Sequence, residues 1–98
     1  MTPDIRPSAL AGQWYPADPE TLRASARRFL DAADPAVMPA GRPAVVVVPH
    51  AGHAWSGRVA GSVLGLLAEH RYDRIVLLAP NHRWPLDAAS TPAESAYA

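Results

Sequence analysis

Three histidines stand where the chain can do chemistry. His50 and His53 lie three residues apart in VPHAGHAWSG, residues 48–57, and His82 ends APNH, residues 79–82. Neutral imidazole is the commonest metal ligand and also a general acid or base near neutral pH. His50 follows the apolar run at 44–48 by two residues, and His82 follows the run at 75–79 by three. If the two runs are neighbouring strands of one parallel sheet, about 4.8 Å apart, both rings leave the same sheet edge. That edge is where ligands of parallel sheets bind, and two imidazoles there can share one ion at about 2.0–2.1 Å each. The alternative for each ring is an ordinary polar residue at a strand end.

His53 admits three roles: a third ligand, a proton shuttle, or a residue on the rim of the site. Gly52 and Gly57 bracket the loop and let its backbone fold tightly beside a bound group. The N–H groups of Ser56, Gly57 and Arg58 open a helix and can hold an anion, or Ser56 simply caps that helix. Trp55 and Trp84 either wall the site or pack in the core. Asn81 either orients a substrate oxygen or caps a turn. His70 falls at a helix end, where an imidazole suits the helix dipole.

The elements that must position these residues follow from patterning. Asp18-Pro19 starts a helix, with Asp as N-cap, Pro at the first helical position and Glu20 in the first turn. Leu22, Ala26, Phe29 and Leu30 form its apolar stripe, and Arg23, Arg27 and Arg28 fall mostly on the solvated side. Residues 31–43 read as a linker. The run at 44–48 is β-branched without alternation, as in a strand covered on both faces. A second helix is expected at 57–70, with Gly61 and Gly65 allowing close approach to the sheet. Residues 75–79 are the second strand. The fold class is therefore α/β: a βαβ unit of a parallel sheet, with a right-handed crossover and an N-terminal helix. Residues 1–17 form an arm, and residues 83–98 form an irregular tail.

Two parallel strands need more neighbours and more cover than this. The chain is expected to be the front part of a larger domain, with residues 1–82 inside it and 83–98 a tail of a truncated domain. Pairing with another chain is the alternative. Nine basic and nine acidic residues among 98 give zero formal net charge, which offers no electrostatic footprint for nucleic acid or an anionic membrane. There is no cysteine, so disulfides and thiolate zinc sites are excluded. No signal peptide or membrane span is legible, and a cytoplasmic location is expected.

AGQWYPADPETL, VVVVPHAGHAWSG and DRIVLLAPNH, in this order, resemble the Memo-like family, also called AmmeMemoRadiSam system protein B, across residues 6–82. The resemblance implies a fold similar to class III extradiol dioxygenases, which bind non-haem iron. It implies metal ligation by a histidine of the PHAG loop and one of the PNH segment, here His50 and His82; the expected metal is iron, with copper as the alternative. The family's third ligand, typically a cysteine far towards the C-terminus, has no counterpart here. His53 stands where the family usually has tyrosine, so its role as base or third ligand is not inherited; Asp87 and Glu94 are other candidates for the third ligand. Partners implied are a radical-SAM protein and an AMMECR-type protein. The functional expectation is a metal-dependent, dioxygenase-like oxidoreductase. Its alternatives are a non-catalytic protein- or peptide-binding module and an inactive fragment.

Overall fold

The computed structural model describes residues 3–98. The chain divides into two units: one runs from Leu10 to Arg71, and the other joins the N-terminal residues through Ala9 with Tyr72–Ala98.

The first unit begins with a tight turn. The N–H groups of Gln13 and Trp14 both donate to Leu10 O at 3.0 Å, and Gly12 N–H donates to Tyr15 O at 2.7 Å. Gly12 sits at φ 80°, a left-handed conformation that strains residues with a Cβ. Helix α1, Pro19–Asp31, starts as its sequence dictates. The Asp18 backbone is extended, and its Oδ2 accepts the Thr21 N–H at 2.8 Å and the Thr21 hydroxyl at 2.5 Å. Leu22, Ala26 and Phe29 are half-buried along one stripe, while Arg23, Arg27 and Arg28 are exposed. The expected linker holds a short 3-10 helix, Pro35–Val37, capped by Asp34.

Helix α2, His53–Leu64, runs on into a 3-10 turn, Gly65–Leu67. It starts four residues earlier than the expected 57–70 and loses α geometry sooner. Gly52 is the N-cap and offers no side chain; instead Trp14 O, from the arm, accepts the His53 N–H at 2.7 Å. An orphan donor of the helix start is thus satisfied from another segment, and Ser56 is not the cap. Its hydroxyl lies inside the first turn and donates to Ala51 O at 2.8 Å.

The glycines of α2 face α1, not a sheet. A Cβ added at Gly61 would lie 2.5 Å from Phe29 Cβ and 2.7 Å from the Phe29 carbonyl. At Gly57 it would meet the Phe29 ring edge at 2.7 Å, and at Gly65 it would overlap Leu30 O. Spacing of four residues places the three on one helix face, so the two backbones approach where no side chain intervenes.

The second unit contains the parallel pairing. Strand β1, Ile5–Arg6, pairs with strand β2, Ala96–Tyr97, in the register Ile5 with Ala96 and Arg6 with Tyr97. The Arg6 guanidinium lies 5.9 Å from the Tyr97 ring centroid. The chain is α/β with a parallel two-stranded sheet, but these are not the strands the sequence pattern suggests. The runs at 44–48 and 75–79 form no strand, so the expected βαβ unit is absent among the described residues. Val47 is 88% exposed and Leu78 is 87% exposed. The physical reason is lack of cover. A parallel strand needs ladder partners and an apolar layer on each face, and α2 turns its close-packing face to α1. Among the described residues no apolar side chain is fully buried. Among them, too, no helix is long and apolar enough to cross a membrane.

Candidate functional site

The histidine loop is built by three short-range constraints. Trp14 O fixes the His53 N–H, the Ser56 hydroxyl ties back to Ala51 O, and the Ser56 N–H donates to Gly52 O at 3.0 Å. Together they hold residues 51–56 as the entry to α2, directly after His50. The Ser56 N–H is therefore engaged within the helix, not offered to an anion.

His53 is half-buried between the helices. Its Nε2 is 2.8 Å from Ser25 Oγ, and its ring centroid is 5.1 Å from that of Phe29 at an interplanar angle of 45°. The Ser25 hydroxyl also lies 3.0 Å from Leu22 O, which can only accept. A serine has one proton to donate. With that proton on Leu22 O, Ser25 Oγ accepts from His53 Nε2–H; with it on His53 Nε2, the ring carries its own proton on Nδ1. The Ser25–His53 pair was not read from the sequence. The available signal was a hydroxyl beside the Leu22–Ala26–Phe29 stripe, a place where a polar side chain needs a partner.

His50 and His82 are both exposed. His50 belongs to the unit Leu10–Arg71 and His82 to the unit containing Tyr72–Ala98. His82 sits in a turn organised by Asn81. The Asn81 Oδ1 accepts from Arg83 N–H at 3.1 Å and Trp84 N–H at 3.3 Å, and its Nδ2 donates to Trp84 O. Of the two roles open to Asn81, the turn cap is the one seen. Trp55 is 87% exposed and Trp84 is 75% exposed, so neither packs in a core. His70 lies beyond the 3-10 turn, its N–H donating to Leu67 O at 3.0 Å. It lines a hollow of about 440 Å³ with Met38 and Leu66. Asp87 is exposed and Glu94 half-buried.

The donors fit a metal in kind, since imidazole suits iron, copper and zinc. They fall short in number: among the described residues no three His, Cys, Asp or Glu side chains gather into a group able to hold an ion. Catalytic zinc and non-haem iron sites use three protein ligands. Among titratable groups the resolved perturbation is at Asp18, whose carboxyl is held below the usual range by the Thr21 hydroxyl first and the Thr21 N–H second.

Comparison with known proteins places these residues in context. The family described as Memo-like protein matches residues 6–97. A MEMO1 family protein of Methanopyrus kandleri is 38% identical, covering 94% of this chain and 35% of the relative. A MEMO1 family protein of Archaeoglobus fulgidus is 39% identical, covering 80% of this chain and 27% of the relative. The memo-1 homolog of Caenorhabditis elegans is 27% identical over 94% of this chain and 25% of its own. The chain thus spans about a quarter to a third of the length of these relatives. No solved structure matches it.

Proposed function

The chain belongs to the Memo-like family, and from that premise we propose that it supplies two ligands, His50 and His82, to a non-haem metal centre of dioxygenase-like type. The observation that carries this reading is the family match over residues 6–97, which includes both the PHAG loop and the PNH exit. Iron is the proposed metal and copper the alternative. When bound, the ion would supply Lewis-acid and redox chemistry. The rest of the ligand set is not gathered among the described residues, so no reaction step is assigned to this chain alone.

His53 is proposed as the acid–base residue beside the centre. Its Nε2 is tied to Ser25 and its N–H to Trp14 O, so Nδ1 is the ring atom that Ser25 does not engage. The same two bonds steady the loop that presents His50. A radical-SAM protein and an AMMECR-type protein are the proposed partners, and the cytoplasm is the proposed location.

Copper(II) is a suitable probe, because it binds imidazole sites more tightly than iron(II) does and broadens nearby resonances. Added below stoichiometry, it is expected to broaden the ring signals of His50 and His82 together, before those of His70. Equal broadening of all the histidines would contradict the assignment. A second reading, a protein-binding module, is favoured by the exposed run at 75–78, where every apolar side chain is at least 73% exposed. It predicts partner capture that survives both chelator and the His50→Ala/His82→Ala double substitution.

A further inference from the structure

A groove of about 540 Å³ runs between α1 and α2, lined by Arg28, Phe29 and Ala32 on one side and Arg58, Val59 and Ser62 on the other. None of the three histidines lines it, although Phe29 of its floor also packs on the His53 ring. Its chemistry is divided. Phe29, Ala32 and Val59 form an apolar floor, and one guanidinium from each helix stands at the wall. The Arg28 guanidinium lies 5.6 Å from the Phe29 ring centroid, a cation–π contact that holds the charge beside the apolar surface.

Neither arginine of this groove is held in an ion pair among the described residues; the nearest acidic residue in sequence, Asp31, follows Arg28 by three positions on α1. The ion pair of α1 joins Glu20 to Arg23, nearer the helix start than Arg28, and α2 has no acidic residue. Two like charges lining one groove repel each other, and an anion between them removes that cost. The guanidinium fork matches carboxylate and phosphate oxygens. The Ser62 hydroxyl donates to Val59 O at 2.8 Å, so its proton is engaged within α2 and the arginines are the donors offered to the groove.

Size selects the kind of occupant. The lining spans residues 28–32 and 58–62, about 6 Å along each helix at about 1.5 Å per residue. That is one helical turn, too short to seat a peptide of several turns. The volume falls in the usual range of about 300–1,000 Å³ for small-molecule sites. We propose that this groove binds a small organic oxyanion on an apolar body, a carboxylate or phosphate monoester, with Arg28 and Arg58 on the oxyanion and Phe29 and Val59 against the apolar part.

The test is titration of the intact chain with benzoate and with phenyl phosphate, followed through the side-chain Nε–H signals of the arginines. Saturable shifts at Arg28 and Arg58, and not at Arg27, are expected with at least one of the two, and the tighter one identifies the head group. Arg28→Gln and Arg58→Gln should each weaken binding about tenfold, the scale of one charge-assisted hydrogen bond. Arg27→Gln should leave it unchanged. Circular dichroism should show equal helix content in all variants, since the substituted side chains are exposed. Equal response to neutral benzyl alcohol would overturn the role of the arginines. Inorganic phosphate binding as well as phenyl phosphate would overturn the role of the apolar floor. Unweakened binding in both groove variants would overturn the site itself.

Discussion

The Asp18 carboxylate shows how one residue decides an element and how that decision depends on pH. It accepts both the N–H and the hydroxyl of Thr21, and these bonds favour its ionised form. Its folded pKa is lowered, so its contribution to α1 is full above the ordinary aspartate pKa and is lost as pH falls through the folded value. Far-ultraviolet ellipticity should therefore show a helix loss in acid that is missing from Asp18→Asn, because asparagine caps without titrating. An unchanged acid transition in that variant would refute the assignment. Asp18 was fully legible in the sequence, because capping needs only residues within one turn. The Ser25–His53 bond was not, because it joins residues 28 apart and follows from how two helices meet.

The packing of α1 on α2 rests on absent side chains. The sequence points to close approach at Gly61 and Gly65, and both positions are close-packed, but against α1 and not against the expected sheet. Spacing identifies the face of a helix and says nothing about what meets it. Gly57, Gly61 and Gly65 are not equivalent. At Gly57 a Cβ meets side chains, the edge of the Phe29 ring and His53 Nδ1, which can shift; at Gly61 it meets the Phe29 backbone. Gly61→Ala should thus destabilise the unit by about 1–3 kcal/mol through overpacking, outweighing a helix-propensity gain of about 1 kcal/mol. Gly57→Ala should cost less. Urea unfolding followed by ellipticity measures both. Equal costs, or stabilisation by Gly61→Ala, would show that the helices do not approach as described.

Across the whole chain, apolar segments lack the cover their composition calls for. The runs at 44–48 and 75–79 are β-branched and aliphatic, yet they are largely exposed and unpaired. Their sequence carries the demand for a buried parallel sheet, but the demand is met only when neighbours and two covering layers are present. That is why the locally capped start of α1 is legible in the sequence while the sheet, and the start of α2 held by Trp14 O, are not. Exposed apolar surface of this kind drives association. Val47→Lys and Leu77→Lys should each lower concentration-dependent light scattering without reducing helix content, since lysine on an unpaired strand opposes edge pairing. Scattering unchanged by both substitutions would place the association elsewhere.

The candidate centre also belongs to this scale, because His50 and His82 lie in different units and share an ion only if those units act together. Equilibrium dialysis of copper(II) against the wild-type chain, His50→Ala, His82→Ala and the double variant tests this most directly. If both rings hold one ion, wild type binds about one copper per chain, and either single substitution loses nearly as much affinity as the double. Such non-additivity is the mark of residues that share a partner. If the two losses simply add, with each single variant keeping a site of its own, the histidines bind independently and the shared centre is contradicted.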